Sequence, residues 1–210
     1  MVRRRLAIFP LPGAVLFPGL QMPLHIFEPR YRAMVKDIMA RDRLIGMIQP
    51  RQMPGDESRE PPGLFDIGCV GRVADIEALD DGRFNLVLAG EARFRVVREL
   101  DVVTPFRQVE ADVEDADADD VLSSVERASV EREAKRFAEG QGYVIDWGAV
   151  SQLDDATFVN AIGQIAPFDP AAKQALLEAD TISLRADLAV QLMQFFGRRD
   201  NDDGGRVTLQ

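Results

Sequence analysis

The sequence predicts an α+β protein, in which a mainly antiparallel β domain (residues 1–113) precedes a helical domain (residues 114–210). In the first half, short apolar runs alternate with Pro, Gly and Asp-Gly punctuation, as in strands joined by turns. After residue 120 the apolar residues recur about every 3.6 positions, which is typical of amphipathic helices. Between these halves, residues 110–120 carry Asp or Glu at seven of eleven positions. This run predicts a solvated acidic linker.

Residues 6–9 begin the β domain, and they predict a strand. A second short apolar run at residues 15–17 is bounded by Pro and Gly, which favours a bent or edge strand. Five later runs predict further strands, at residues 44–48, 67–79, 84–89, 93–97 and 106–113. About six or seven strands at this length indicate a closed or nearly closed barrel.

Two connections in the β domain carry specific signals. Asp81-Gly82 supplies the positive-φ residues of a tight hairpin turn. From Pro29 onward, apolar residues at helical spacing predict one helix that packs on the sheet. Residues 52–63 are rich in Pro, Gly and charge, and they predict an exposed loop.

The helical domain is predicted to contain about four helices. Val121, Leu122, Val125 and Ala128 share one helical face; Phe158, Ile162, Ile165 and Ala166 form a second stripe, behind Asp154 as N-cap. A third helix is expected to start at Asp169-Pro170, and a fourth at Thr181. The last helix presents Leu184, Leu188, Leu192 and Phe195 and is predicted to end at Gly197, followed by a frayed tail from about residue 198.

Composition favours a folded protein in water. Hydrophobic residues make up 46% and charged residues 29%, which is an ordinary globular balance. No apolar stretch approaches the roughly 20 residues that cross a bilayer, so no membrane is expected. The single cysteine, Cys69, cannot form an internal disulfide, which is consistent with a reducing cytoplasm.

Missing motifs disfavour catalysis. The phosphate-binding motif G-x-x-x-x-G-K-[ST] is absent, since none of the three lysines follows a glycine, and so is the G-x-S-x-G elbow. His25 is the only histidine, and we interpret it as fixing the entry to the helix at Pro29. Glu28 is interpreted as a helix cap or as a partner of Arg32. We therefore expect no catalytic residues, no cofactor and no metal site.

Several motifs are spread over the chain: residues 9–12 (FPLP), 15–19 (VLFPG), 23–32 (PLHIFEPRYR), 68–73 (GCVGRV), 81–82 (DG), 90–96 (GEARFRV) and 174–178 (QALLE). Together they resemble the N-terminal substrate-binding domain family of the ATP-dependent protease Lon. The resemblance implies a PUA-like β pseudobarrel with a helical subdomain. It also implies a module that lacks the family's ATPase and protease parts. Residues 25–32 look most like those of stand-alone bacterial members.

The resemblance and an apolar start together suggest a non-catalytic module that binds other proteins or exposed polypeptide segments, with a quality-control adaptor as its expected role. The candidate peptide-binding residues are Phe17, Leu20, Met22, Leu24, Phe27 and Tyr31. Such a cluster is more often core, so we expect it to divide between core and binding residues.

RNA binding is the alternative, because PUA-like folds include RNA binders. The β domain carries six suitable arginines, Arg72, Arg83, Arg93, Arg95, Arg98 and Arg107. We expect these to pair with Asp66, Asp75, Glu77 and Glu91 instead, which disfavours nucleic acid. The charge distribution also disfavours nucleic acid, because residues 1–108 are nearly neutral, with 16 basic and 14 acidic residues, and residues 109–210 are acidic, with 9 basic and 21 acidic residues. The oligomeric state is left open.

Overall fold

A computed structural model describes residues 1–51, 61–114 and 121–203, with the backbone alone for residues 199–203. The chain divides into two compact units, Met1–Ala116 and Asp117–Gln210, which we call the β unit and the helical unit. The α+β class predicted from the sequence is confirmed. The domain division after residue 113 stays a prediction.

The β unit is a barrel closed by one long strand. In its described part the strands are β1 (Val2–Pro10), β2 (Gln21–Ile26), β3 (Leu44–Ile48), β4 (Pro50–Arg51), β5 (Gly63–Leu64), β6 (Ile67–Ala78), β7 (Phe84–Glu99) and β8 (Gln108–Val113). The main sheet has the order β2-β7-β6-β3-β1-β8, and β7 also pairs with β8. Five strands therefore form a ring, and β2 lies outside it, paired with the first half of β7. β1 and β3 are parallel, and the other pairs are antiparallel.

Two predicted connections of the β unit are confirmed. The hairpin turn between β6 and β7 forms where it was predicted, and Gly82 has φ of 78°, but Asp81 is not among the described residues with positive φ, so that part of the prediction was wrong. The Gly82 amide donates to the Leu79 carbonyl oxygen at 2.8 Å. Helix α1 (Pro29–Met39) begins at the expected proline. Its residues Tyr31, Met34, Val35 and Ile38 are buried.

Phe94 fills the interior of the barrel. Its side chain is fully buried, among core residues Leu6, Ile8, Leu44, Ile48, Val70, Val109 and Ala111. A Cβ at Gly46 would lie 3.0 Å from the ring of Phe94, and one at Gly68 would lie 2.6 Å from it and collide with the Met47 carbonyl oxygen. Glycine is required at these positions because the ring occupies the space of a side chain.

Three strand predictions were wrong. Residues 15–17 form no strand; Val15, Leu16 and Phe17 are buried in a connection that ends in a turn. The strand lies just beyond, at β2, where Pro23 had masked its alternating pattern. Residues 84–89 and 93–97 belong to one continuous strand, because Gly90 does not interrupt the pairing with β6.

The helical unit holds five described helices rather than about four. They are α2 (Ser124–Gly140), α3 (Trp147–Val150), α4 (Asp155–Ile165), α5 (Pro170–Glu178) and α6 (Ile182–Asp203). The additional one, α3, is a single turn that Asp146 caps with its side chain. The predicted starts of the last three helices are confirmed, with Asp154 and Asp169 as N-caps.

The predicted apolar faces of α2 and α6 were wrong. Val121 and Leu122 precede α2, whose N-cap is Ser123, and Val125 is 78% exposed. In α6, Leu184 and Phe195 are more than half exposed. The buried residues there are Ile182, Arg185, Ala186, Ala189 and Met193. The small alanine side chains allow the neighbouring helices to approach α6 closely. Close packing on this face therefore outweighs burial of the larger leucine side chains.

Gly197 does not end α6, which continues to Asp203. A Cβ at Gly197 would lie 3.4 Å from the ring of Phe137, so the glycine fits close packing against α2. The parts of the predicted loop, linker and tail at residues 52–60, 115–120 and 204–210 lie outside the described residues. Among the helices that the structure describes, none combines the length and apolar character that a bilayer span requires.

Arg185 is a buried cation that joins three elements of the helical unit. Its guanidinium donates to the carbonyl oxygens of Leu176 and Ala179 at 3.1 Å each and to Asn160 Oδ1 at 3.0 Å. Leu176 and Ala179 lie at the C-terminal end of α5, where carbonyl groups lack the usual i+4 amide donors; the Leu176 carbonyl oxygen also accepts from the Ala179 amide at 3.4 Å. A positive charge there is also favoured by the helix dipole.

We predict that Gly68→Ala lowers the free energy of unfolding by about 2–3 kcal/mol, because the added methyl group cannot enter the packed barrel. The matched change Gly140→Ala should raise it by up to about 1 kcal/mol, because a Cβ there meets no atom within 4 Å and alanine favours helix. Thermal unfolding followed by circular dichroism checks both. Equal effects of the two changes would contradict the close packing at Gly68.

We predict that Arg185→Met lowers the free energy of unfolding of the helical unit by at least about 3 kcal/mol, because it removes three hydrogen bonds of a buried charged group, each of which contributes about 1.5–3 kcal/mol. Arg132→Met, at an exposed position of α2, should change it by less than about 0.5 kcal/mol. Urea unfolding followed by Trp147 fluorescence measures both. A small effect of Arg185→Met would show that the three acceptors find other donors.

Candidate peptide-binding site

The structure sorts the six candidate residues into three classes. Phe17 and Tyr31 are buried, at 0% and 5% exposure. Leu20, Met22 and Leu24 are half-buried, and Phe27 is 60% exposed. Which of them bind a partner stays a prediction, but only the last four present surface.

β2 is an edge strand, and one hydrogen bond identifies which of its residues direct their backbone groups away from β7. The Gly90 amide donates to the Leu20 carbonyl oxygen at 2.8 Å, and the same register continues through β2 without a bulge. In an antiparallel ladder the residues that bond the neighbour alternate. The backbone groups of Met22 and Leu24 therefore form the hydrogen bonds with β7, whereas the backbone groups of Pro23 and His25 point away from β7. Pro23 thus lies where its missing N–H costs no ladder bond.

The start of β2 is held by a bend that crosses β7. The Gly19 amide donates to the Gly90 carbonyl oxygen at 2.9 Å, and Gly19 has φ of 80°. A Cβ at Gly90 would collide with the carbonyl oxygen of Phe17. Because Gly90 has no side chain, the bend lies directly on β7, sending Phe17 inward and placing Leu20 at the strand's beginning.

Helix α1 begins beside the end of β2. The ring of Tyr31 packs on Phe9 with centroids 4.3 Å apart, and the Arg30 guanidinium lies 4.6 Å from the Tyr31 centroid. Burial raises the pKa of the Tyr31 phenol, while the charge of Arg30 opposes the shift. Glu28 holds the N-cap position, but its side chain forms a salt bridge with Arg30 at 2.9 Å and caps no amide, which corrects both earlier interpretations.

His25 belongs to a polar network on the outer face of the sheet, and its ring stacks on that of Phe27 with centroids 6.2 Å apart. Its role at the helix entry stays a prediction. Its Nδ1 lies 2.7 Å from Asn85 Oδ1, and the Asn85 amide nitrogen donates to Glu77 at 2.8 Å. Arg83 Nη1 lies 3.3 Å from His25 Nε2. Since Asn85 offers its oxygen and Arg83 its N–H, the arrangement fits a neutral ring with the proton on Nδ1.

This network lines a shallow hollow of about 390 Å³ beside β2. Asp75, Glu77 and His25 supply its polar side chains, and Pro23 and Val87 supply apolar surface. Within the described ranges no group of three or more His, Cys, Asp or Glu side chains is arranged to hold a metal ion. The arrangement offers an open backbone edge with apolar side chains on one face and polar side chains on the other.

Pro23 and Asn85 were not singled out as site residues from the sequence, and Arg83 was named only for the RNA-binding alternative. The signal for the edge strand was present, because residues 21–26 alternate polar or proline positions with Met, Leu and Ile. Proline inside such a run is itself typical of an edge strand. Asn85 and Arg83 carried no local signal, since they meet His25 only through pairing of β7 with β2.

Comparison with known proteins gives one consistent family. The family model described as "ATP-dependent protease La (LON) substrate-binding domain" matches residues 5–194. Lon protease 2 of Myxococcus xanthus is 35% identical over 114 residues, which is 52% of this chain and 13% of that protein. The Lon protease of Cytophaga hutchinsonii is 24% identical over 90% of this chain and 24% of its own length. The chain therefore spans about a quarter or less of these relatives.

Solved structures show the same fold. The Lon N-terminal domain protein from Xanthomonas campestris has a TM-score of 0.68 at 21% identity, covering 90% of this chain and 98% of that one. The N-terminal domain of Mycobacterium avium complex Lon protease has a TM-score of 0.67 at 16% identity, covering 91% and 98%.

We predict that Phe17→Ala lowers the free energy of unfolding by about 3–5 kcal/mol, because it leaves a cavity in the core. Phe27→Ala should change it by less than about 0.5 kcal/mol, since Phe27 is exposed. Urea unfolding of both variants checks this division. Comparable losses would mean that Phe27 contributes to the core after all.

Proposed function

This chain belongs to the ATP-dependent protease La (LON) substrate-binding domain family, and on that basis we propose that it binds exposed, extended polypeptide segments along β2 without catalysing a reaction. The observation that carries the proposal is the outer edge of β2, flanked by half-buried apolar side chains and by exposed Phe27. An extended peptide can pair with a strand edge through its backbone, whatever its sequence.

Apolar side chains supply the selectivity in this proposal. Met22 and Leu24 alternate along β2 and so share one face of the sheet, and Leu20 immediately precedes the strand. A paired peptide would place every second side chain beside them, with Phe27 at the end of the row. Folded proteins bury such apolar segments, whereas unfolded proteins expose them. The edge would therefore favour unfolded chains.

We propose that the chain acts as a quality-control adaptor in the cytoplasm. Support for the adaptor role comes from the family, whose description names substrate binding. Support for the compartment comes from the single cysteine, Cys69, which is buried in β6 and suits a reducing environment. Collaboration with a separate protease is part of this proposal.

RNA is disfavoured as the partner because most of the relevant arginines are already neutralised. Five salt bridges hold them: Arg72–Glu91, Arg83–Asp81, Arg93–Glu114, Arg98–Glu110 and Arg107–Glu99. Only Glu91 among these acids was predicted from the sequence; the other partners follow from strand register and turn geometry. Cations with local carboxylate partners add little to phosphate binding.

We predict that His25→Pro weakens binding of an unfolded protein about threefold to tenfold, because it removes an outward N–H from β2 and a hydrogen bond contributes about 0.5–1.5 kcal/mol. His25→Ala is the matched control: it removes the same side chain and keeps the N–H, and should bind within about twofold of the parent. Fluorescence anisotropy with labelled, reduced and carboxymethylated lysozyme measures both. Equal binding by the two variants would remove the case for backbone pairing.

We predict that Phe27→Ala weakens binding of the same probe at least about fivefold, because an aromatic anchor contributes 1 kcal/mol or more. The control is Val103→Ala, which removes another exposed apolar side chain of the β unit and should have no effect. Melting temperatures of both variants should match the parent. Unaltered affinity of Phe27→Ala would exclude this residue from the site.

A further inference from the structure

The helical unit contains an apolar groove of about 230 Å³. It lies among α2, α4, α6 and the connection that includes α3, and all fourteen residues that line it are apolar or aromatic. Phe137, Trp147, Phe158 and Met193 are among its walls. No sequence motif pointed to it, because its residues come from four separate segments.

Part of the groove is open to solvent. Ile165 is 74% exposed, Tyr143 46% and Ile145 37%, and all three line the groove. Ile165 was predicted to be core, as the end of the α4 stripe. Single exposed apolar residues are normal on protein surfaces, but a set that converges on one apolar groove is typical of an interaction site.

The chemistry of the walls selects the conformation of an occupant. An extended segment in this groove would bury many backbone N–H and C=O groups against walls in which only Tyr143 and Trp147 offer a hydrogen-bonding group, and each unpaired group would cost free energy. A helix satisfies its backbone internally and can place an apolar face in the groove. An amphipathic helix is therefore the occupant that fits this groove best.

Charge around the groove selects the polar face of that helix. Glu139, Asp146 and Asp154 adjoin lining residues in the sequence, and none of them has a salt bridge within the part of the chain that the structure describes. The Thr157 amide donates to Asp154, and this hydrogen bond lowers the pKa of its carboxyl group.

Of the nearby cations, Lys135 lies over the ring of Trp147, 5.5 Å from its centroid, and the arginines are already neutralised. Arg127 bridges to Glu131 and Asp155 at 2.8 Å each, and Arg136 bridges to Glu133 at 2.5 Å. Across residues 117–210 the sequence has 9 basic and 17 acidic residues. A basic partner is therefore attracted and an acidic one repelled.

We propose that this groove binds an amphipathic helix of a partner protein, with its apolar face in the groove and Lys or Arg on its polar face. This goes beyond the function proposed for β2, because the partner is helical and the site lies in the other unit. Failure of peptide binding at β2 leaves the inference intact, and the reverse also holds.

The test uses the full chain and a labelled Leu/Lys amphipathic peptide about five turns long. Two control peptides share its pattern: one has Glu in place of Lys, and one has prolines that prevent the helix. We expect saturable binding of the Leu/Lys helix, weakened by added salt, and at least about tenfold weaker binding of each control.

Two matched variants locate the binding. Ile165→Lys places a positive charge at the groove and should weaken binding of the Leu/Lys helix at least about tenfold. Leu184→Lys adds the same charge at a residue of α6 that is 57% exposed and does not line the groove, and should alter binding less than about twofold. Both positions are exposed, so folding should be unaffected, as circular dichroism would show.

Three results would overturn the proposal. Equal binding of the Leu/Glu and Leu/Lys helices would remove the charge argument, and equal weakening by both variants would place binding elsewhere. Sedimentation of the chain alone provides the third. A dimer that Ile165→Lys, but not Leu184→Lys, converts to a monomer would identify the occupant as a second copy.

Discussion

The contact between Gly90 and the bend at residues 17–20 organises the β unit. Gly90 exchanges hydrogen bonds with Gly19 and Leu20, at 2.9 and 2.8 Å, and a side chain at this position would collide with the Phe17 carbonyl oxygen. Because the bend rests directly on β7, Phe17 enters the core and β2 begins in a defined register. The position of Met22 and Leu24 on one face follows from that register, with Leu20 just before the strand. A single glycine thus links barrel packing to the position of the proposed peptide-binding edge.

Strand β7 closes the barrel with one half and holds the edge strand β2 with the other. Its second half pairs with β8, which completes a ring of five strands, and its first half pairs with β2. Closure leaves two edges in the described main sheet, one at β2 and one at the second half of β6, where Asp75–Ala78 pair only with β7. Pro23 lies on the outward side of β2 and removes one donor from it. The missing donor weakens edge-to-edge pairing between two copies of this strand, while the other outward backbone groups stay available for the proposed peptide.

The two units present surfaces of different chemistry. At β2 backbone groups are available beside apolar side chains, which suits an extended segment. In the helical unit the groove walls are apolar, which suits a helix, and the surrounding charge is acidic. A protein with both surfaces could hold an unfolded chain at one and a folded helical partner at the other. Such a division fits the proposed adaptor, because an adaptor must engage two molecules at once.

The sequence alone determined the α+β class, the Asp81-Gly82 hairpin, the start of α1 and the starts of the last three helices. These features depend on local rules of turn, cap and periodicity, which neighbouring residues satisfy by themselves. It also indicated the family through motifs spread over the chain, and that indication is confirmed. Tertiary structure decided which apolar residues are core: Phe17 and Tyr31 are buried, Phe27 and Ile165 are exposed, and α6 buries alanines instead of its leucine stripe. It also decided the partners of His25 and the arginines, and the groove of the helical unit. Exposure, ion pairing and concavity arise from segments distant in the chain, so no local pattern specifies them.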